Sequence, residues 1–240
     1  MKSVAPSGPA TLPNTRWSVI LDAQQDDPAA LAEFCREYWF PLYGYARRTG
    51  LGPEDAADLT QSFFERILSR DILGQARRER GRLRSFLLRA FHNFAAEEWR
   101  RSHSQRRGVA GSVVPLDALS AEQRLMIEPR ELVTPETEFE RSWAREVLRQ
   151  AQERLRATYD RLGQPAVFAA LEGFLTDGEL EGSFREIAAP LGMTEAAARF
   201  AAFQLRRRYR DTLREVVADT VASPEEVPAE LEHLQSLFGR

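Results

Sequence analysis

Between residues 82 and 101 the sequence sets arginines, an aromatic ring and a carboxamide on one side of a helix. Arg82, Phe86, Arg89, Asn93 and Arg100 follow at steps of four, three, four and seven, the spacing that keeps side chains on one helical face. Leu83, Leu87, Ala90, Phe91 and Phe94 fall on another side and form an apolar stripe. Guanidinium groups suit phosphate oxygens, a ring offers a surface on which a base can stack, and an amide can pair with a base edge. Trp99 flanks that face and Arg101 extends it; a large ring there is a candidate wedge beside an unstacked base. The plainer alternative packs Phe86 under a neighbouring loop and caps the core with Trp99.

A second predicted helix carries the opposite charge. Gly52 and Pro53 start it, and Glu54 and Asp55 occupy its first turn, where the helix dipole favours anions. Ala56, Leu59, Phe63 and Ile67 recur at spacings of three and four as the buried stripe. Glu54, Asp58, Gln61 and Glu65 share the opposite face. Such a face is either simply solvated or an acidic docking surface for a basic partner.

The third pattern runs from Ser183 to Phe200. A short helix ends at Pro190, a turn carries Gly192, and Thr194 is placed to cap the helix that follows. Ile187, Leu191, Ala198, Ala202 and Leu205 supply apolar contacts. This is helix-turn-helix grammar, whose second helix enters a major groove. Glu195, Ala196 and Arg199 lie on the exposed beginning of that helix, and Phe203, Arg206 and Arg210 continue the same side.

Charge agrees with two separate polyanion contacts. The 240 residues carry a net charge of −3, but the charge is segregated. Residues 77–107 hold ten arginines against three carboxylates, and 183–210 hold six against two. Residues 108–140 hold seven carboxylates against two arginines, and 215–232 hold six with no base. Two basic islands in an acidic frame predict two anionic contacts.

The elements that hold these faces are helical. Strand alternation is nearly absent and helical periodicity dominates. Helices are predicted near 15–24, 28–49, 53–70 and 82–106, then near 137–162, 165–176, 183–190, 194–220 and 228–238. The expected organisation is all-α, with two small helical domains over 14–107 and 137–222. A Pro/Gly/Ser-rich leader (1–13) precedes them, a flexible linker (108–136) joins them, and an acidic tail (223–240) follows. At ~3.3 Å per residue the linker could span roughly 100 Å. In the tail, Leu231, Leu234 and Phe238 form a short apolar stripe beside Glu230 and Glu232. It either packs on the second domain or forms an acidic lid over the arginines of 199–210.

Composition bounds the function. Hydrophobic content of 43% and charged content of 29% describe a soluble globular chain, and no apolar run approaches the ~20 residues of a membrane crossing. The N-terminus lacks the apolar segment of a secretory signal. One cysteine, Cys35, cannot form an internal disulfide, which fits a reducing cytoplasm, and its apolar surroundings predict a buried thiol. His92 and His103 stand eleven residues apart, about 16 Å along a helix, too far to share a metal. With no phosphate loop, paired cysteines or nucleophile elbow, the expectation is no catalysis, no cofactor and no metal.

These motifs resemble one family. The run from Glu54 to Leu68 and the run from Phe86 to Arg101 resemble region 2 of bacterial RNA polymerase sigma factors of the extracytoplasmic-function (ECF) group, and Ser183–Arg208 is similar to region 4. Phe86 stands where many members carry tryptophan, and Phe203-Gln204 where many have His-Arg. The resemblance implies a promoter-recognition subunit without catalysis of its own. Asp58, Gln61, Phe64 and Glu65 would bind core RNA polymerase. Arg82, Phe86, Arg89, Asn93, Trp99, Arg100 and Arg101 would capture the −10 element, with the loop 71–82 holding a flipped base. Glu195, Ala196, Arg199, Phe203 and Arg206 would meet the −35 element. An anti-sigma factor or other inhibitor is a further implied partner; membrane insertion is not expected. Read without the family, the residues also allow a stand-alone helix-turn-helix regulator, which leaves the acidic stripe unexplained.

Overall fold

A computed structural model describes residues 28–68, 82–104, 134–175 and 184–238. Every regular element among them is helical, as the periodicity predicts. The leader, the predicted helix near 15–24, the loop 71–81 and the linker up to residue 133 lie outside the described residues. No described helix is long and apolar enough to cross a membrane.

Contacts divide the chain into two units. The first comprises α1 (Pro28–Arg48), α2 (Pro53–Leu68), α3 (Leu83–Ser104) and the start of α4 (Pro135–Arg161) as far as Phe139, together with Asp219–Ala222. The second comprises the rest of α4, α5 (Pro165–Leu171), a 3-10 turn (Glu172–Leu175), α6 (Phe184–Ala188) and α7 (Glu195–Ala218) as far as Ala218; from Ser223 it continues with a 3-10 turn (Pro224–Glu226) and α8 (Val227–Phe238). The sequence division places residues 137–139 and Asp219–Ala222 in the second domain; by their contacts both pieces belong to the first unit. Val221 is fully buried there, and the Leu83 amide, one of the four that a helix start leaves without an internal partner, donates to the Thr220 carbonyl at 3.4 Å.

The first unit is built around aromatic rings. Phe63 of α2 meets Phe91 and Phe94 of α3 at centroid distances of 5.0 and 5.6 Å, and Tyr45 of α1 meets Phe91 edge-on at 5.8 Å. Edge-to-face pairs of this kind gain beyond the area they bury. Pro41 lies inside α1 and removes a helical hydrogen bond; the burial of Leu42, Tyr43 and Tyr45 around it holds the helix regardless of that local cost. Glu138 is fully buried, and Arg48 answers it with Nε and Nη2 at 3.3 and 3.2 Å from one carboxylate oxygen. A buried carboxylate requires such a partner.

The second unit has an aliphatic and aromatic core in which Leu155, Tyr159, Phe168, Leu171, Phe174, Ala202 and Leu205 pack together. Trp143, Val147, Val216, Val217 and Leu234 are buried as well. The helix α4 starts at Pro135, two residues before the expected position, because Thr134 accepts the Thr137 amide at 3.2 Å and acts as its cap. Its far end closes at Gly163 (φ +70°), where Gln164 donates to the Tyr159 carbonyl at 2.9 Å. The tail forms α8, which packs along α7, and His233 Nε2 lies 2.9 Å from Glu140 of α4. The acidic lid is not seen: Arg199, Arg206, Arg207, Arg208 and Arg210 all remain exposed.

Candidate functional site

On α2, the helix start and the apolar stripe leave one face outward. Ala56, Phe63 and Ile67 are fully buried, and the opposite positions Glu54, Asp58, Gln61 and Glu65 are exposed. Gln61 Nε2 donates to Glu65 at 3.1 Å along that face. Phe64 is placed differently from the expectation of a partner contact. It is 5% exposed and packs edge-on against Phe34 of α1 at 6.1 Å. It stands one residue, or about 100°, from Phe63, close enough to the buried stripe for α1 to cover it.

On α3, Leu83, Leu87, Phe91 and Phe94 are buried, while Arg89, Asn93, Arg100 and Arg101 are exposed. Trp99 is 61% exposed, so it does not cap the core. Arg82 and Phe86 are half-buried at the beginning of the same face. Of the arginines counted in the first basic island, Arg84 is an exception: it is 5% exposed and belongs to the interior. Acids answer part of the positive charge on and beside α3. Arg66 of α2 donates to Glu97 at 2.7 Å and lies 5.5 Å over the Phe94 ring, and Arg101 reaches Glu98 at 2.6 Å and Glu97 at 3.5 Å. The hydrogen bond from Arg66 holds the Glu97 carboxyl below its ordinary range, and the charges of Arg66, Arg101 and Arg100 act in the same direction.

In the second unit, α6 ends at Ala188, before Pro190, and the turn closes through Gly192 at φ +63°. Met193 donates to the Ala188 carbonyl and Gly192 to that of Ala189, both at 3.2 Å, a helix stop that glycine fits because the left-handed conformation burdens any residue with a Cβ. Thr194 Oγ1 accepts the Ala197 amide at 3.2 Å and begins α7. The expected cap and turn are therefore in place, and Ala198, Ala202 and Leu205 face inward.

The expected contact residues of α7 divide into two groups. Arg199 pairs with Glu195 at 2.6 Å and lies 5.4 Å over Phe184; Arg206 lies 5.7 Å over Phe174 and donates to its carbonyl at 3.2 Å. These two arginines are tethered to rings of their own unit, with Phe184 stacked on Phe174 at 4.9 Å. Ala196 and Phe203 instead face outward. Sequence reasoning missed Phe200, which is 62% exposed beside Phe203 at 56%, and Arg207, also exposed. The signal was present: with Ala198, Ala202 and Leu205 inward, 100° per residue places 196, 200, 203 and 207 opposite them.

No family model matches this chain, and neither a curated protein nor a solved structure does.

Among the described residues, no three His, Cys, Asp or Glu side chains come together as a metal site. Cys35 is half-buried rather than buried, and burial pushes its thiol up, away from the thiolate a nucleophile needs.

Proposed function

We propose that this chain is an RNA polymerase sigma factor of ECF type, which binds core polymerase, recognises −10 and −35 promoter elements and promotes DNA opening. The observation that carries this reading is the division of charge within the first unit. The α2 face of Asp58, Gln61 and Glu65 and the α3 face of Arg89, Asn93 and Arg100 are both exposed, each above a separate stripe of buried residues. A regulator that needs only DNA has no use for the acidic face. In the second unit the capped turn before α7 supports a duplex-reading helix.

The mechanism follows from energetics. A helical unit without fuel opens a duplex only by holding single-stranded bases better than paired ones, which shifts the equilibrium toward the open state. Stacking contributes ~1–3 kcal/mol per base, and Trp99 and the half-buried Phe86 are the rings that α3 offers. Exposed arginines add salt-sensitive phosphate contacts. Polymerase would hold both units on one promoter and raise the effective concentration of the second contact.

The test is charge reversal. Asp58→Lys with Glu65→Lys is expected to abolish association with purified core polymerase while circular dichroism and melting temperature stay unchanged, since both positions are exposed. Arg100→Ala is expected to weaken open-complex formation, followed by permanganate reactivity, without changing core affinity. If the wild-type chain does not associate with core polymerase, or the charge-reversed chain still does, this reading falls. Tight duplex binding without core association would establish the stand-alone regulator instead.

A further inference from the structure

The outward face of α7 has an unusual chemistry for a groove-reading helix. Ala196, Phe200 and Phe203 occupy its first three turns, and none of the three side chains carries a hydrogen-bond donor or acceptor. The two phenylalanines lie three residues apart and are both more than half exposed. Around and beyond them stand Arg199, Arg206, Arg207 and Arg210, all exposed, and the segment 195–214 holds six arginines against two carboxylates. Two bare rings inside a positive rim suit an anionic partner with apolar groups between its charges. Duplex DNA is such a partner.

We infer that α7 reads thymine through the C5-methyl groups displayed in the major groove, with Phe200 and Phe203 as the specificity-determining residues and the surrounding arginines on phosphates. This rests on the duplex-reading role proposed for α7. Guanine and adenine are read by bidentate donors or acceptors, which positions 196, 200 and 203 lack; Arg207 shares their face but stands a full turn beyond Phe203, where it is assigned to phosphate. The one apolar group on a major-groove base edge is the thymine methyl, and Ala and Phe are side chains that contact it. Arg199 and Arg206, the arginines nearest in sequence, are held over Phe184 and Phe174 by ring contacts, and Arg206 also donates to a backbone carbonyl. Small side chains at Ala196 and Ala197 let the helix start approach the groove floor.

The experiment uses the full chain, alone and with core polymerase, to select duplexes from a random-sequence library. Each thymine of an enriched duplex is then replaced singly by deoxyuridine, which removes only the methyl. Binding of the wild-type chain is expected to fall about fourfold per critical methyl, at one or two adjacent steps. The Phe200→Ala/Phe203→Ala variant is expected to bind thymine and deoxyuridine duplexes equally. Enrichment with no deoxyuridine effect at any position overturns the inference while leaving duplex binding intact. An absence of enrichment in both arms overturns duplex reading and this inference together. Wild-type self-association in sedimentation that the double alanine variant loses would assign the two rings to a second copy of the chain and likewise overturn it.

Discussion

Helices α3 and α7 are built from similar residues and dispose of them in opposite ways. Both are long, arginine-rich and phenylalanine-bearing. In α3 the phenylalanines at 91 and 94 are the core, locked to Phe63, whereas in α7 the inward positions are Ala198, Ala202 and Leu205 and the phenylalanines at 200 and 203 are left outside. The arginines differ too. Arg101 of α3 is paired with carboxylates; in α7 Arg199 pairs with Glu195 but also lies over Phe184, and Arg206 and Arg208 lie over the rings of Phe174 and Tyr159. A carboxylate orders a guanidinium by neutralising it; a ring orders it and leaves the charge in place. Composition alone therefore says little about what a basic amphipathic helix presents.

The contrast is broken most directly by removing the rings. Phe91→Ala in α3 is expected to cost about 3–5 kcal/mol in urea unfolding, because it empties a closed aromatic cluster. Phe203→Ala in α7 is expected to change stability by less than about 0.5 kcal/mol. Similar losses in both would mean that α7 does not present Phe203 to solvent.

Smaller effects sharpen it. Arg206→Ala removes a ring contact and a carbonyl hydrogen bond and is expected to cost about 1 kcal/mol, little changed by 0.5 M salt. Arg101→Ala, at an exposed pair, is expected to cost less than about 0.5 kcal/mol, and that small loss is expected to vanish in salt. Thr194→Ala is expected to cost about 1 kcal/mol through the lost cap, read as destabilisation of the second unit. The smallest effect concerns pH. Since the folded Glu97 carboxyl lies below its ordinary range, its ionised form contributes stability above that range and loses it as pH falls through the folded value. The melting-temperature advantage of the wild type over Glu97→Gln is thus expected to be present at neutral pH and to disappear on acidification; an advantage that grows in acid would reverse the assignment.

Much of the fold was legible because it is periodic. In the stripes, Ala56, Phe63 and Ile67 and Leu83, Leu87, Phe91 and Phe94 are buried as spaced while Leu59 and Ala90 are only half-buried, and the turn at Gly192 with its cap at Thr194 stands where the residue types placed it. Misplaced residues lie at the edges of those stripes. Phe64 and Arg84 each stand one residue from a buried position, and a wheel cannot say how wide a strip the neighbouring helix covers. Asp219–Ala222 was assigned by order along the chain, which does not record which unit a short segment returns to.

By itself the sequence determined where the described helices lie to within a few residues, which residues share a face, and that two basic islands stand in an acidic frame. These are local properties, set by backbone sterics, capping and a fixed angle per residue. Only the tertiary structure decided which faces are covered. It buried Phe64 and Arg84, left Trp99 outside, and fixed Arg199 and Arg206 over rings far from them in the chain. Burial depends on what packs against a helix, and that neighbour is set by contacts between distant residues, which spacing along one helix does not encode.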